Sequence, residues 1–121
     1  MAHTAAWFLV LLGLGHIAYG LRKYHAPLRA AWAGGFIGQF GATEERRTAF
    51  WFLILGPLLV LAGHAALHAV ATGDLALLKI VGGYLLFTGV LGAAAFPKSP
   101  FWAALPTGPL LIATGYGWLS L

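Results

Sequence analysis

Polar residues are so sparse along this chain that they mark out its elements unaided. Four consecutive charges, Glu44-Glu45-Arg46-Arg47, precede an uncharged run from Ala49 to Ala71. A helix needs roughly 20 apolar residues to cross a bilayer, so the run predicts a membrane span over about 49–71. Three further apolar runs predict spans over about 4–21, 75–96 and 101–121. Polar or turn-forming residues close each of them. Arg22-Lys23 follows the first, Thr72-Gly73-Asp74 separates the second from the third, and Pro97-Lys98-Ser99-Pro100 precedes the fourth. The shortness of the Thr72–Asp74 turn makes spans two and three an antiparallel hairpin. Trp7, Tyr19, Trp51 and Phe52 fall near span ends, where amphipathic rings suit the membrane boundary.

Within the runs, glycine marks where helices can approach closely. Gly13, His16 and Gly20 share one face of the first span, Gly56 and Gly63 one face of the second, and Gly82, Gly83, Gly89 and Gly92 make the third the expected centre of packing. Pro57 predicts a kink near Leu53, because proline cannot donate its backbone hydrogen bond. Pro106 and Pro109 predict irregular first turns in the fourth span. The connection from Tyr24 to Thr48 is too polar to span and too aromatic for a free loop. A short interfacial helix is expected around Pro27 to Ala33. A turn follows in which Trp32, Phe36, Ile37 and Phe40 alternate with Gly34, Gly35, Gly38 and Gly41, lying on the membrane as a lid or a surface-resting linker. The predicted fold class is all-α: an integral-membrane four-helix bundle with an interfacial segment between helices 1 and 2, forming a single transmembrane domain over residues 1–121.

Composition sharpens this picture. Hydrophobic residues are 60% of the chain and charged ones 8%, against roughly 25% charged in a soluble domain. Too few charges remain to build a water-facing surface. The net charge of +4 sits beside apolar runs rather than on a polar face, which argues for anionic lipid and against nucleic acid. Arg22, Lys23, Arg29, Arg46 and Arg47 lie in the first connection and Lys98 in the third. The positive-inside rule then places both connections in the cytoplasm and both termini outside, in a bacterial inner membrane. The first run lacks a positive leader region and is read as a retained span. With no cysteine, disulfides, thiolate metal sites and cysteine nucleophiles are excluded.

Several pieces of the chain resemble an uncharacterised family of small, four-span bacterial membrane proteins, a domain of unknown function. They are Gly13-Leu14-Gly15-His16 with Gly20, then Glu45-Arg46 followed by Ala49-Phe50-Trp51-Phe52 and Gly56-Pro57. Further on they are Gly82-Gly83-Tyr84, then Pro97-Lys98-Ser99-Pro100-Phe101-Trp102 and Pro106. The segment from Glu45 to Pro57 is the most specific. The resemblance implies a fold and a location and brings no activity with it. His64 and His68 lie outside the matching pieces.

Two clusters carry candidate chemistry. The inner one gathers His16, Glu45, Arg46, Trp51 and Gln39, with Glu44, Arg47 and Tyr24 beside them. A carboxylate, an imidazole and an aromatic wall under a glycine-rich segment suit a lipophilic ligand, with His16 and Glu45 the candidate acid and base. The plainer reading has Glu44 and Glu45 supporting a helix start through its dipole, while His16 satisfies a backbone carbonyl. The outer cluster is His64 and His68, four apart on one helical face, with His3 as a possible third imidazole. It is a weak candidate for metal or haem, against a packing or interfacial role.

The expected function is a non-catalytic or accessory membrane protein that binds a hydrophobic small molecule, a lipid or a membrane partner near its cytoplasmic end. One alternative is a membrane-embedded isomerase or cyclase using Glu45 and His16. Another is a haem- or metal-binding redox subunit using His64 and His68. No cofactor is expected. The expected partners are membrane lipid and either further copies of the chain or a larger membrane complex, with no nucleic acid.

Overall fold

The computed structural model describes residues 1–121, the side chain of Pro100 excepted. The described residues form five α-helices and one 3₁₀ turn, with no strand. In order they are α1 (Ala2–Lys23), α2 (His25–Ala33), α3 (Glu44–Thr72), α4 (Leu75–Ala95), the 3₁₀ turn (Pro100–Ala103) and α5 (Ala104–Gly115). Three of them, α1, α3 and α4, are long and apolar enough to cross a membrane. Only 17 to 33% of each apolar stretch is buried. Trp7, Phe8 and Leu11 of α1, Leu58 and Leu61 of α3, and Tyr84 and Phe87 of α4 stand exposed. Apolar faces of this size mark a surface that something other than water covers.

Local chemistry sets the helix ends. Thr43 caps α3, its Oγ1 accepting from the Arg46 backbone N–H at 3.2 Å, and Glu44 and Glu45 occupy the first turn where the dipole favours anions. Between α3 and α4 a single residue does two jobs. Gly73, at φ +69°, allows the Asp74 N–H to bond the Ala69 carbonyl at 2.8 Å, closing α3 in a Schellman turn. The Asp74 carboxylate accepts from the Leu77 N–H at 2.9 Å, opening α4.

The sequence pattern predicts a fourth helical span over 101–121, and here the chain differs. The α-helix covers 12 residues, about 18 Å at 1.5 Å per residue, short of a roughly 30 Å hydrocarbon core. Proline is the cause at one end and glycine at the other. Pro100 starts a 3₁₀ turn instead of an α-helix, and Gly117 at φ +76° turns the chain just past Gly115.

The chain divides into two compact units, one of residues Met1–Leu9 with Ala62–Leu121, the other of Val10–Leu61. In the first, Ala2, Ala5, Ala6 and Leu9 join Ala66, Ala69, Leu78, Leu85 and Leu111 in one buried cluster. Helices α4 and α5 meet there backbone to backbone. A Cβ on Gly82 would lie 2.7 Å from the Gly108 carbonyl oxygen and 3.0 Å from the Ile112 nitrogen. A Cβ on Gly108 would lie 2.8 Å from the Leu86 nitrogen. In the second unit α1 and α3 make the same kind of contact. A Cβ on Gly13 would stand 2.7 Å from the Gly56 carbonyl oxygen, and one on Gly56 would be 3.1 Å from the Gly13 carbonyl oxygen and would also strike Ile17. Such approaches let dispersion forces hold helices together where hydrophobicity cannot.

Gly83 shares the glycine-rich stretch of α4 but has open space where its Cβ would go. Gly82→Ala should therefore cost about 1–3 kcal/mol of overpacking. Gly83→Ala should be neutral or stabilise by up to about 1 kcal/mol through helix propensity. Thermal unfolding of both variants in one detergent checks this, and a Gly82→Ala melting point equal to wild type would refute the close contact.

Candidate functional site

The unit of residues 10–61 contains all of the inner candidates but distributes them over separate contacts. His16 is half-buried on α1, and its Nε2 lies 2.7 Å from the Phe52 carbonyl oxygen. A carbonyl only accepts, so Nε2 carries the proton. The imidazole also stacks on the Phe52 ring, with centroids 3.9 Å apart and planes 18° off parallel. Phe52 is the hub of this patch. Tyr24 and Tyr19 tilt against it at 5.2 and 5.9 Å, and Lys23 Nζ lies 5.4 to 6.0 Å from the Tyr24, Tyr19 and Phe52 rings, within cation–π range.

Gln39 and Arg46 form a second, separate contact. Arg46 Nη1 donates to Gln39 Oε1 at 3.1 Å and approaches the Gln39 carbonyl at 3.5 Å. Arg47 Nη2 donates to the Gly41 carbonyl at 3.2 Å. Gln39 in turn packs its side chain onto Gly34, over the place where a Cβ would stand. These bonds latch the connection onto the first turns of α3. The latched segment is bent by Gly35, Phe36 and Gly38, all at positive φ. Phe36 is the unusual member, since a bulky residue in this region costs about 1–3 kcal/mol and persists only where its surroundings impose it. They do so here. Its N–H bonds the Ala31 carbonyl at 2.9 Å, and its ring meets Trp32 and Phe40 edge-on at 6.2 and 5.3 Å.

Under this segment lies an apolar cleft of about 300 Å³, at the small end of the roughly 300–1,000 Å³ of small-molecule sites. One wall is α3, which contributes Phe50, Leu53, Ile54 and Pro57. Counted from Arg46 these stand at i+4, i+7, i+8 and i+11, one face of a helix. Ile17 and Leu21 of α1 form the facing wall, Leu28 of α2 closes one side, and Phe36 and Phe40 come from the latched segment. Every lining side chain is apolar.

Glu45 and Trp51 are exposed, and neither lines the cleft; nor do His16, Gln39 or Arg46. Sequence reasoning passed over Phe50, Leu28, Ile17 and Leu21. The helical spacing from Arg46 to Pro57 was the available signal for Phe50, whereas Ile17 and Leu21 of α1 and Leu28 of α2 lie outside that stretch. The outer histidines His64, His68 and His3 are all exposed, and the His68 carbonyl accepts from Thr72 Oγ1 at 2.9 Å. Among the described residues no group of three or more His, Asp or Glu is placed to hold a metal ion.

A helical chain with three span-length helices and an apolar cleft beside a basic connection is thus defined by packing and shape. It belongs to a family of unknown function, DUF6463, whose model matches residues 1–117. No curated protein and no solved structure matches it.

The latch is open to direct test. Gln39→Ala should raise the hydrogen-exchange rates of the amides from Gly34 to Ala42 about tenfold for each 1.4 kcal/mol of bonding lost. The helical amides of α4 should keep their rates. Unchanged exchange in the connection would mean that Arg46 does not hold it.

Proposed function

We propose that this is a small, non-catalytic integral-membrane protein that holds a hydrophobic small molecule or a lipid in the apolar cleft of residues 10–61. The observation that carries the reading is the cleft itself, with no polar side chain in its lining. Burial of apolar ligand surface yields about 25 cal/mol per Å², so such a cleft binds by shape and area. The acid–base alternative needs Glu45 and His16 to share a substrate. Here the His16 Nε2–H donates its hydrogen bond to the Phe52 carbonyl while Glu45 is exposed, which favours binding over catalysis.

In this reading the chain crosses the bacterial inner membrane four times, the 3₁₀ turn adding its length to that of α5 so that, with the residues after Gly115, they make the last crossing. The basic first connection and Lys98 face the cytoplasm, both termini lie outside, and α2 rests at the interface. The cleft then opens at the cytoplasmic end, where a ligand can enter from the inner leaflet. Single cysteines at Gly38, Gly73 and Ser99 test the orientation. Position 73 should react with an impermeant reagent from the periplasm, with 38 and 99 protected, and the reverse pattern overturns it.

Native mass spectrometry with lipid analysis tests the cleft. The wild-type protein should retain a hydrophobic ligand beyond bulk lipid, and filling the space by Ile54→Trp or Leu28→Trp should remove it. If the wild-type protein retains nothing, or both filled variants retain the same ligand, the cleft is not a binding site.

A further inference from the structure

Both walls of the cleft turn basic at the same end. On α1, Leu21 is followed directly by Arg22 and Lys23. On α3 the lining face of Phe50, Leu53, Ile54 and Pro57 is headed, one turn earlier, by Arg46. Resting on the cleft as a binding site, we infer that its ligand is a single-chain anionic amphiphile, with its chain along the apolar walls and its acid head group at Arg46.

Arg46 suits this role by position and by bonding. It is half-buried, and both of its side-chain hydrogen bonds leave from Nη1. Nε and Nη2 remain for the paired oxygens of a carboxylate or phosphate, which a guanidinium binds in a fork. Arg47 flanks it with one bond, from Nη2 to the Gly41 carbonyl. Glu44 and Glu45 precede Arg46 by two positions and one, about 200° and 100° around the helix, off the lining face. The head group cannot sit deeper, because no polar side chain lines the cleft. At about 300 Å³ the cleft is at the lower limit of small-molecule sites, which favours one chain over the two of a bilayer phospholipid. Carboxylate and phosphate heads share the required chemistry, from a free fatty acid or a lysophospholipid.

Tryptophan quenching reads the binding. Trp51 touches Phe50 and Trp32 touches Phe36, at ring separations of 5.3 and 6.2 Å, so a brominated chain in the cleft quenches both. In neutral detergent, 9,10-dibromostearate should half-quench at a concentration about tenfold below that of dibromostearyl alcohol, the preference expected of one charge-assisted contact. The preference should shrink with added salt and vanish in Arg46→Gln. It should survive in Arg46→Lys and in Gln39→Ala, which breaks the latch but keeps the charge. Displacement of the probe by lysophosphatidate at lower concentration than by stearate assigns the phospholipid source, and the reverse order assigns the fatty acid. Two-chain phosphatidate displacing as well as its lyso form overturns the single-chain assignment. Equal quenching by acid and alcohol, or a preference that persists in Arg46→Gln, overturns the anionic head group while leaving the cleft intact. Quenching by neither probe overturns both.

Discussion

Backbone contact between α1 and α3 governs everything that residues 10–61 can do. Gly13 and Gly56 meet with no room for a Cβ on either. That contact fixes the register of the two helices. One turn along α1, His16 then falls opposite the Phe52 carbonyl. A further turn on, Gly20 falls opposite Phe52 and Leu53, whose side chains fill the place of its missing Cβ. The sequence runs forward on α1 and backward on α3, so the pair is antiparallel. A larger residue at Gly13 would push the histidine away from its carbonyl. Ile17 and Leu21 stand across from Leu53, Ile54 and Pro57, so the width of the cleft is also set where the glycines touch.

The polar side chains of this protein are largely spent on its own backbone. His16 serves the carbonyl of Phe52, Thr72 that of His68, Thr107 that of Ala103, Thr114 that of Leu110 and Trp102 that of Pro97. Among the described residues no buried side-chain nitrogen or oxygen lacks a partner. In a low-dielectric setting an unmet polar group is expensive, and the few present are each committed. Inside the cleft, whose lining is wholly apolar, only shape and apolar area remain, while the uncommitted edge of Arg46 lies outside that lining.

The helical class was legible because long apolar runs broken by short polar signals admit little else. Glu44 and Glu45 announced the start of α3, and Gly73 with Asp74 announced its end. The helix extent after Pro97 was not legible, because hydropathy does not register how Pro100 and Gly117 bound a helix within an apolar run, while Pro106 and Pro109, expected to disturb it, lie inside α5. Of the inner candidates, the sequence grouped residues by their nearness to one membrane face. The structure separates them by helical angle, with His16 turned to Phe52 and Arg46 to Gln39. A latch between Gln39 and Arg46 depends on the left-handed backbone of Phe36, and such a conformation at a phenylalanine has no signature in sequence.

Two connections of this chain differ in how much freedom they leave. At Asp74 the amide that finishes α3 and the carboxylate that begins α4 belong to the same residue. A twist or slide of the last turn of α3 therefore has no slack to disappear into and must be handed on to α4. The stretch from Gly34 to Thr43 is the reverse case. It is held by its own backbone turns, the Phe36 N–H to the Ala31 carbonyl and the Gln39 N–H to the Phe36 carbonyl among them, and by bonds from Arg46 and Arg47, so no single residue both ends α2 and begins α3. Direct and indirect coupling of neighbouring helices are thereby assigned to separate joints, and the indirect one is the joint that carries Phe36 and Phe40.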